Sequence, residues 1–117
     1  MGYNITQVYS NFEIPEEYAE DAIIDIKRQY RQLGLGNLKD IFDEFSWDIS
    51  KEGNKWTDLQ FLGEKWNEDH LKLFQLVAPY VPAGCYIQMQ GEDGEMWRWV
   101  FDGKDCKEVT PEIRWEY

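Results

Sequence analysis

The chain has 117 residues, with 23 acidic side chains against 12 Lys and Arg and a formal net charge of -11. At 43% apolar and 16% aromatic residues, including six tryptophans, it is too rich in core-forming side chains for a disordered polyanion, and its length suits a single compact domain that needs neither metal nor disulfide. The acids are spread over both halves, so the surface is negative throughout; this disfavours nucleic acid and anionic membrane and favours a basic protein partner.

Taken in order, Tyr3 to Tyr9 combine β-rich composition with imperfect alternation and read as a first strand. Asn11 to Pro15 turns the chain into a helix from Glu16, whose Ala19, Ala22, Ile23, Ile26, Tyr30 and Leu33 fall on one stripe, with Gly34 as its stop. Asn37 stands as the N-cap of a short helix carrying Leu38, Ile41, Phe42 and Phe45 on one side. Phe45–Ser50 then reads as a strand, Lys51-Glu52-Gly53-Asn54 as a turn, and Lys55–Leu62 as the antiparallel return. Asn67 can cap a second long helix with Leu71, Phe74, Val77 and Ala78 inward, ended by Pro79 and Pro82.

The clearest pattern follows. Two apolar-aromatic runs, Cys85–Gln90 and Glu95–Phe101, flank Gly91-Glu92-Asp93-Gly94, and a third short run follows Asp102-Gly103-Lys104-Asp105. Closely spaced runs separated by Asp/Gly turns are antiparallel hairpins. With Asp93-Gly94 as a two-residue turn, Gln90 faces Trp97, Gln88 faces Trp99 and Tyr86 faces Phe101. One sheet face then bears an aromatic ridge, and the other bears Cys85, Ile87, Met89, Met96, Arg98 and Val100. The ridge either packs beneath loops and the last segment or serves as a contact surface. In that last segment Ile113, Trp115 and Tyr117 alternate with Arg114 and Glu116.

The element order contains a βαββαβ core, the split-βαβ or ferredoxin-like arrangement, extended by a C-terminal β-hairpin or meander and a short extra helix. The expected fold class is α+β, a two-layer sandwich with a mainly antiparallel sheet bearing two principal helices on one face. The competing arrangement keeps these elements but places the C-terminal meander in a separate sheet that wraps the second helix.

Catalytic signals are sparse. Glu68-Asp69-His70 is the one place where carboxylates adjoin the single histidine, and a helix N-terminus favours the neutral imidazole that could act as a base. A small hydrolase using Asp69 and His70 is therefore the enzymatic alternative, although no serine or cysteine stands at an obvious nucleophile spacing. The carboxylate-rich loops lack a calcium-loop pattern, and turn geometry accounts for their Asp-Gly pairs, so no metal or cofactor is expected. Cys85 and Cys106 form no CxxC and read as free, buried thiols; the assumed register puts Cys106 opposite Phe101 and off the face of Cys85. No apolar run approaches the ~20 residues that span a bilayer, and no basic region leads into an apolar one at the N-terminus. A cytoplasmic location is expected.

The leading expectation is a non-enzymatic, acidic protein-binding domain, of the kind seen in inhibitors or immunity-like proteins, directed at a basic or nucleic-acid-binding partner. The candidate contact residues are Tyr86, Trp97, Trp99, Phe101, Glu92, Asp93, Glu95 and Trp115, with aromatic anchors inside an acidic, steering surround. An aromatic-faced nucleic-acid module is a further alternative, opposed by the net charge. The same charge opposes self-association and favours a monomer over a homodimer.

Overall fold

Residues 2–34 and 36–111 are described by a computed structural model. Their elements in order are β1 (Ile5–Asn11), β2 (Ile14–Pro15), α1 (Ala19–Gln29), α2 (Leu38–Asp43), β3 (Trp47–Glu52), β4 (Lys55–Phe61), α3 (Asp69–Val77), β5 (Tyr86–Gly91), β6 (Met96–Phe101) and β7 (Cys106–Val109). The α+β two-layer sandwich expected from the sequence is present, but its strands form two ladders, β1-β5-β6-β7 and β2-β4-β3. The C-terminal meander lies in a separate sheet from the β3–β4 hairpin, as the competing arrangement expects, and that sheet also takes in β1, which pairs with β5.

The two ladders adjoin along β1 and β4, where side chains replace backbone pairing. A bulge at Val8 shifts the register of β1. Just before it, Gln7 Nε2 donates to the Leu59 carbonyl at 2.8 Å and Gln7 Oε1 accepts from the Phe61 amide at 2.8 Å. Ser10 Oγ adds a bond to the Leu59 carbonyl at 3.1 Å, and Thr57 Oγ1 donates to the Phe12 carbonyl at 2.9 Å. Backbone groups freed by the bulge and the break between sheets thereby find partners. The imperfect alternation of the first strand has the same origin, since Val8 and Tyr9 are both exposed.

Local chemistry accounts for the helices. Asn37 and Asp40 form a reciprocal capping box at the start of α2, with bonds of 3.0 and 3.1 Å. Helix α1 buries Ala19, Ala22 and Ile26 and packs on α3. It ends at Gln29 and not near Gly34, because Tyr30 leaves the helix with φ -122° and is held by tertiary partners. Its ring meets Phe45 edge-on at 5.0 Å and its hydroxyl donates to Asp69 at 2.9 Å. In α3 and just beyond it Phe74, Val77 and Ala78 are buried as expected, His70 and Leu73 join them, and Leu71 is only partly covered. Phe12, between β1 and β2, joins the layers: its ring lies 6.2 Å from Phe42, 6.1 Å from Phe74 and 5.5 Å from Phe101.

Candidate functional site

The β5–β6 hairpin does not close with a two-residue turn. The Gly91 amide donates to the Glu95 carbonyl at 2.8 Å and the Gly94 amide to the Gly91 carbonyl at 3.0 Å, with Gly94 at φ 88°. This is a three-residue loop whose glycine occupies a left-handed bulge position. The extra residue slips the expected register by one: Gln90 opposes Met96, Met89 opposes Trp97, Ile87 opposes Trp99 and Tyr86 opposes Val100.

The slip divides the expected ridge. Trp97, Trp99 and Phe101 turn inward beside Ile87 and Met89, with relative exposures of 6%, 0% and 1%. Tyr86 lies on the opposite face with Gln88, Gln90, Met96, Arg98 and Val100. There Arg98 sits 4.4 Å over the Tyr86 ring and donates to Gln88 Oε1 at 2.8 Å, and Tyr9 approaches Tyr86 at 5.6 Å. Trp115 lies outside the described residues.

The slip also corrects the facing of the cysteines. Cys106 opposes Phe101 as expected, but the Cys85 carbonyl accepts the Phe101 amide at 3.0 Å, so both thiols flank β6 on one face. Two strand spacings, about 10 Å, separate them, beyond the reach of a disulfide. Both are free and buried, and burial pushes the Cys106 thiol up to about 12 and raises that of Cys85.

The loop acids do gather, together with residues from distant parts of the chain. Glu92 Oε1 accepts the Asn4 amide at 3.2 Å. Asp93 accepts the Tyr3 hydroxyl and, at 3.1 Å, the Glu95 amide. These bonds hold the Asp93 carboxyl below the usual range, while the bond to Asp93 pushes the Tyr3 phenol up to about 12. The Trp66 amide donates to the Tyr3 carbonyl at 2.7 Å, which brings the segment before α3 to the same corner. A groove of about 190 Å³ results, lined by Tyr3, Trp66, Glu95, Trp97, Glu108 and Thr110. Trp66 is 46% exposed at its edge. Trp97 also borders a larger groove of about 410 Å³ that carries Gln88, Met96, Arg98 and Val109.

Indole hydrogen bonds distinguish the tryptophans. Trp47 donates to His70, Trp56 to Glu16 and Trp99 to Glu108. The Trp97 Nε1 is buried and has no acceptor among the described residues.

His70 does not form the expected acid/base site. It is 1% exposed. An indole N–H can only donate, so the 3.0 Å bond from Trp47 Nε1 makes Nδ1 the acceptor and leaves the proton on Nε2, which donates to the Lys65 carbonyl at 3.1 Å. The rings of Trp47, Phe61 and Trp99 surround it at 5.8, 5.3 and 6.0 Å, and burial lowers its pKa. Asp69 is engaged by Tyr30 instead. Both imidazole nitrogens are committed to the core, and the Asp69/His70 pairing proposed for a hydrolase does not form.

Among the described residues no three His, Cys, Asp or Glu side chains converge as metal ligands, and no helix is long and apolar enough to cross a membrane. Sequence reasoning located Glu92, Asp93 and Glu95 but missed Tyr3, Trp66 and Glu108 beside them. The available signal was Trp66, a large aromatic between strand and helix that belongs to neither periodic pattern. No known protein family, curated protein or solved structure matches the chain.

Proposed function

We propose that this protein is a non-enzymatic binding domain that engages a basic protein partner through the corner formed by the β5–β6 loop, Tyr3, Trp66 and Glu108. The observation that carries the reading is that Glu95 and Glu108 share a groove with the exposed Trp66, while Glu92 and Asp93 of the same loop are bound to Asn4 and Tyr3 beside it, away from the described ion pairs. The described ion pairs engage Glu13, Glu16, Asp25, Asp48 and Glu68; none involves the acids of this corner. Carboxylates steer and orient a basic surface, while an aromatic side chain supplies a desolvated anchor. Such acids can stand in the place of phosphates, which supports an inhibitory or immunity-like role toward a nucleic-acid-binding partner. The two buried, unpaired thiols suit a reducing cytoplasm, and the net charge of -11 favours a monomer.

The test is capture of partners from the native cell at ~0.1 and 1 M salt, using wild type and a variant combining Glu92→Gln, Asp93→Asn and Glu95→Gln. A basic partner retained at low salt, released at high salt and lost with the variant is expected, since screening shortens to about 3 Å at 1 M. Capture of acidic partners alone, or of none, overturns the reading.

A further inference from the structure

We infer that the outer face of the β1-β5-β6-β7 sheet is a second contact surface, which takes an extended acidic segment of a protein partner, with carboxylates at two alternate positions laid over Arg98 and Lys107. The inference goes beyond the acidic corner and does not depend on it. The negative surface expected from composition is interrupted here. The four strands hold one acid, Glu108, and it turns to the inner face, where it accepts Trp99 Nε1 at 2.9 Å. On the outer face stand Tyr9, Tyr86, Gln88, Gln90, Arg98 and Lys107. Helix α3 packs on the inner one, where Phe74 meets Trp99 at 5.3 Å and Phe101 at 6.1 Å. Tyr9, Arg98 and Lys107 are exposed, and none of the described ion pairs uses either cation.

Arg98 is already oriented. Its guanidinium carbon lies 4.4 Å from the centre of the Tyr86 ring and its Nε donates to Gln88 Oε1 at 2.8 Å, which leaves the terminal N–H groups without an acceptor among the described residues. Such a fork matches a carboxylate. Because Val100 opposes Lys107 and Arg98 opposes Val109, the two cations are diagonal neighbours rooted about 7 Å apart. In an extended segment, side chains two residues apart recur on one side at about the same spacing. A single-stranded nucleic acid also repeats its charge, but it continues past the two cations. The face is bounded by Glu92, Asp93 and Glu95 at one end and by Asp102 and Asp105, against Lys104, at the other. These rims repel a continuous polyanion and admit a short acidic motif flanked by basic residues.

The probe is acetyl-Lys-Glu-Thr-Glu-Lys-amide, titrated into nitrogen-labelled protein while the Arg98 Nε–H, the Gln88 side-chain amide and the indole signals are followed. Saturable movement of the Arg98 and Gln88 signals is expected, with the Trp66 indole in place. Replacing both peptide glutamates by glutamine should weaken binding about tenfold. Arg98→Gln and Lys107→Gln, followed at Gln88, should each weaken it about threefold, within the range of one exposed ion pair. The glutamine analogue carries the greater positive charge, so equal or tighter binding by it assigns the peptide to acidic surface elsewhere and overturns the inference. Undiminished binding by both variants, movement confined to other signals, or no movement does the same. So does tighter binding of an oligothymidylate of about eight nucleotides. An Arg98 signal that moves in the free protein on Glu112→Gln with Glu116→Gln assigns the face to residues 112–117 and also overturns it. Partner capture by the Glu92, Asp93 and Glu95 variant tests the corner and peptide binding by Arg98→Gln tests this face, so either reading can fail alone.

Discussion

Trp97 and Trp99 stand two residues apart on one face of β6 and have opposite environments. Trp99 is fully covered, donates to Glu108 at 2.9 Å and packs against Phe74 at 5.3 Å and Trp47 at 6.2 Å. Trp97 packs on Trp99 at 6.1 Å but borders two grooves, and its indole nitrogen has no acceptor among the described residues. Around Trp99 and His70 the polar atoms buried with the rings are matched, which is what stability requires of a core. At Trp97 one polar atom has no acceptor among the described residues, and departures from consistent pairing of this kind concentrate at functional sites. Similar residues two positions apart on one strand thus differ in whether their buried polar atoms are matched within the described fold.

The largest effect that tests this contrast comes from removing an indole N–H in each region. Trp47→Phe leaves His70 Nδ1 buried without its donor and should cost about 1–3 kcal/mol in urea denaturation. Trp97→Phe removes a donor that has no acceptor among the described residues, so it loses packing alone and should cost about 1 kcal/mol less than Trp47→Phe. Equal losses in the two variants would erase the distinction between the regions.

A smaller effect follows from acid. Burial depresses the folded-state pKa of His70 below its ordinary 6.5, so on acidification the unfolded chain binds a proton before the folded one does. His70's contribution is complete above about pH 6.5, declines as pH falls and levels off once the folded imidazole titrates. Denaturation midpoints from about pH 7 to 5.5 should fall for wild type and remain flatter for His70→Gln. Parallel slopes would mean that the core does not hold this imidazole neutral.

The smallest effect on stability is expected at the corner. A Cβ at Gly91 would run into the Tyr3 ring, so Gly91→Ala should swing Tyr3 off the loop with little change in the denaturation midpoint. Loss of its bond to Asp93 should bring the Tyr3 phenol down from about 12, an alkaline shift legible in the tyrosine absorbance. An unchanged phenol titration would show that Tyr3 is not held against the hairpin loop.

Signals confined to a few neighbouring residues were legible in the chain itself. The apolar stripe through Ala22 and Ile26, the Asn37 cap, the return strand read as Lys55–Leu62 and the alternation of β5 and β6 follow from periodicity and side-chain chemistry within a turn or two. The hairpin register was not legible, because Glu92-Asp93-Gly94 fits either a two-residue turn or a three-residue loop, and the choice depends on where Gly94 places its positive φ. That one residue separates Tyr86 from Trp97, Trp99 and Phe101, since a period of two moves every side chain to the other face after a slip of one. Helix phase placed Asp69 and His70 on different partners, which adjacency in sequence could not reveal. The corner lay furthest out of reach: Tyr3 meets Asp93 only because β1 pairs with β5, and Trp66 joins them only because its amide bonds to the Tyr3 carbonyl. Local patterning determines which residues can turn inward or outward; long-range pairing decides which of them meet.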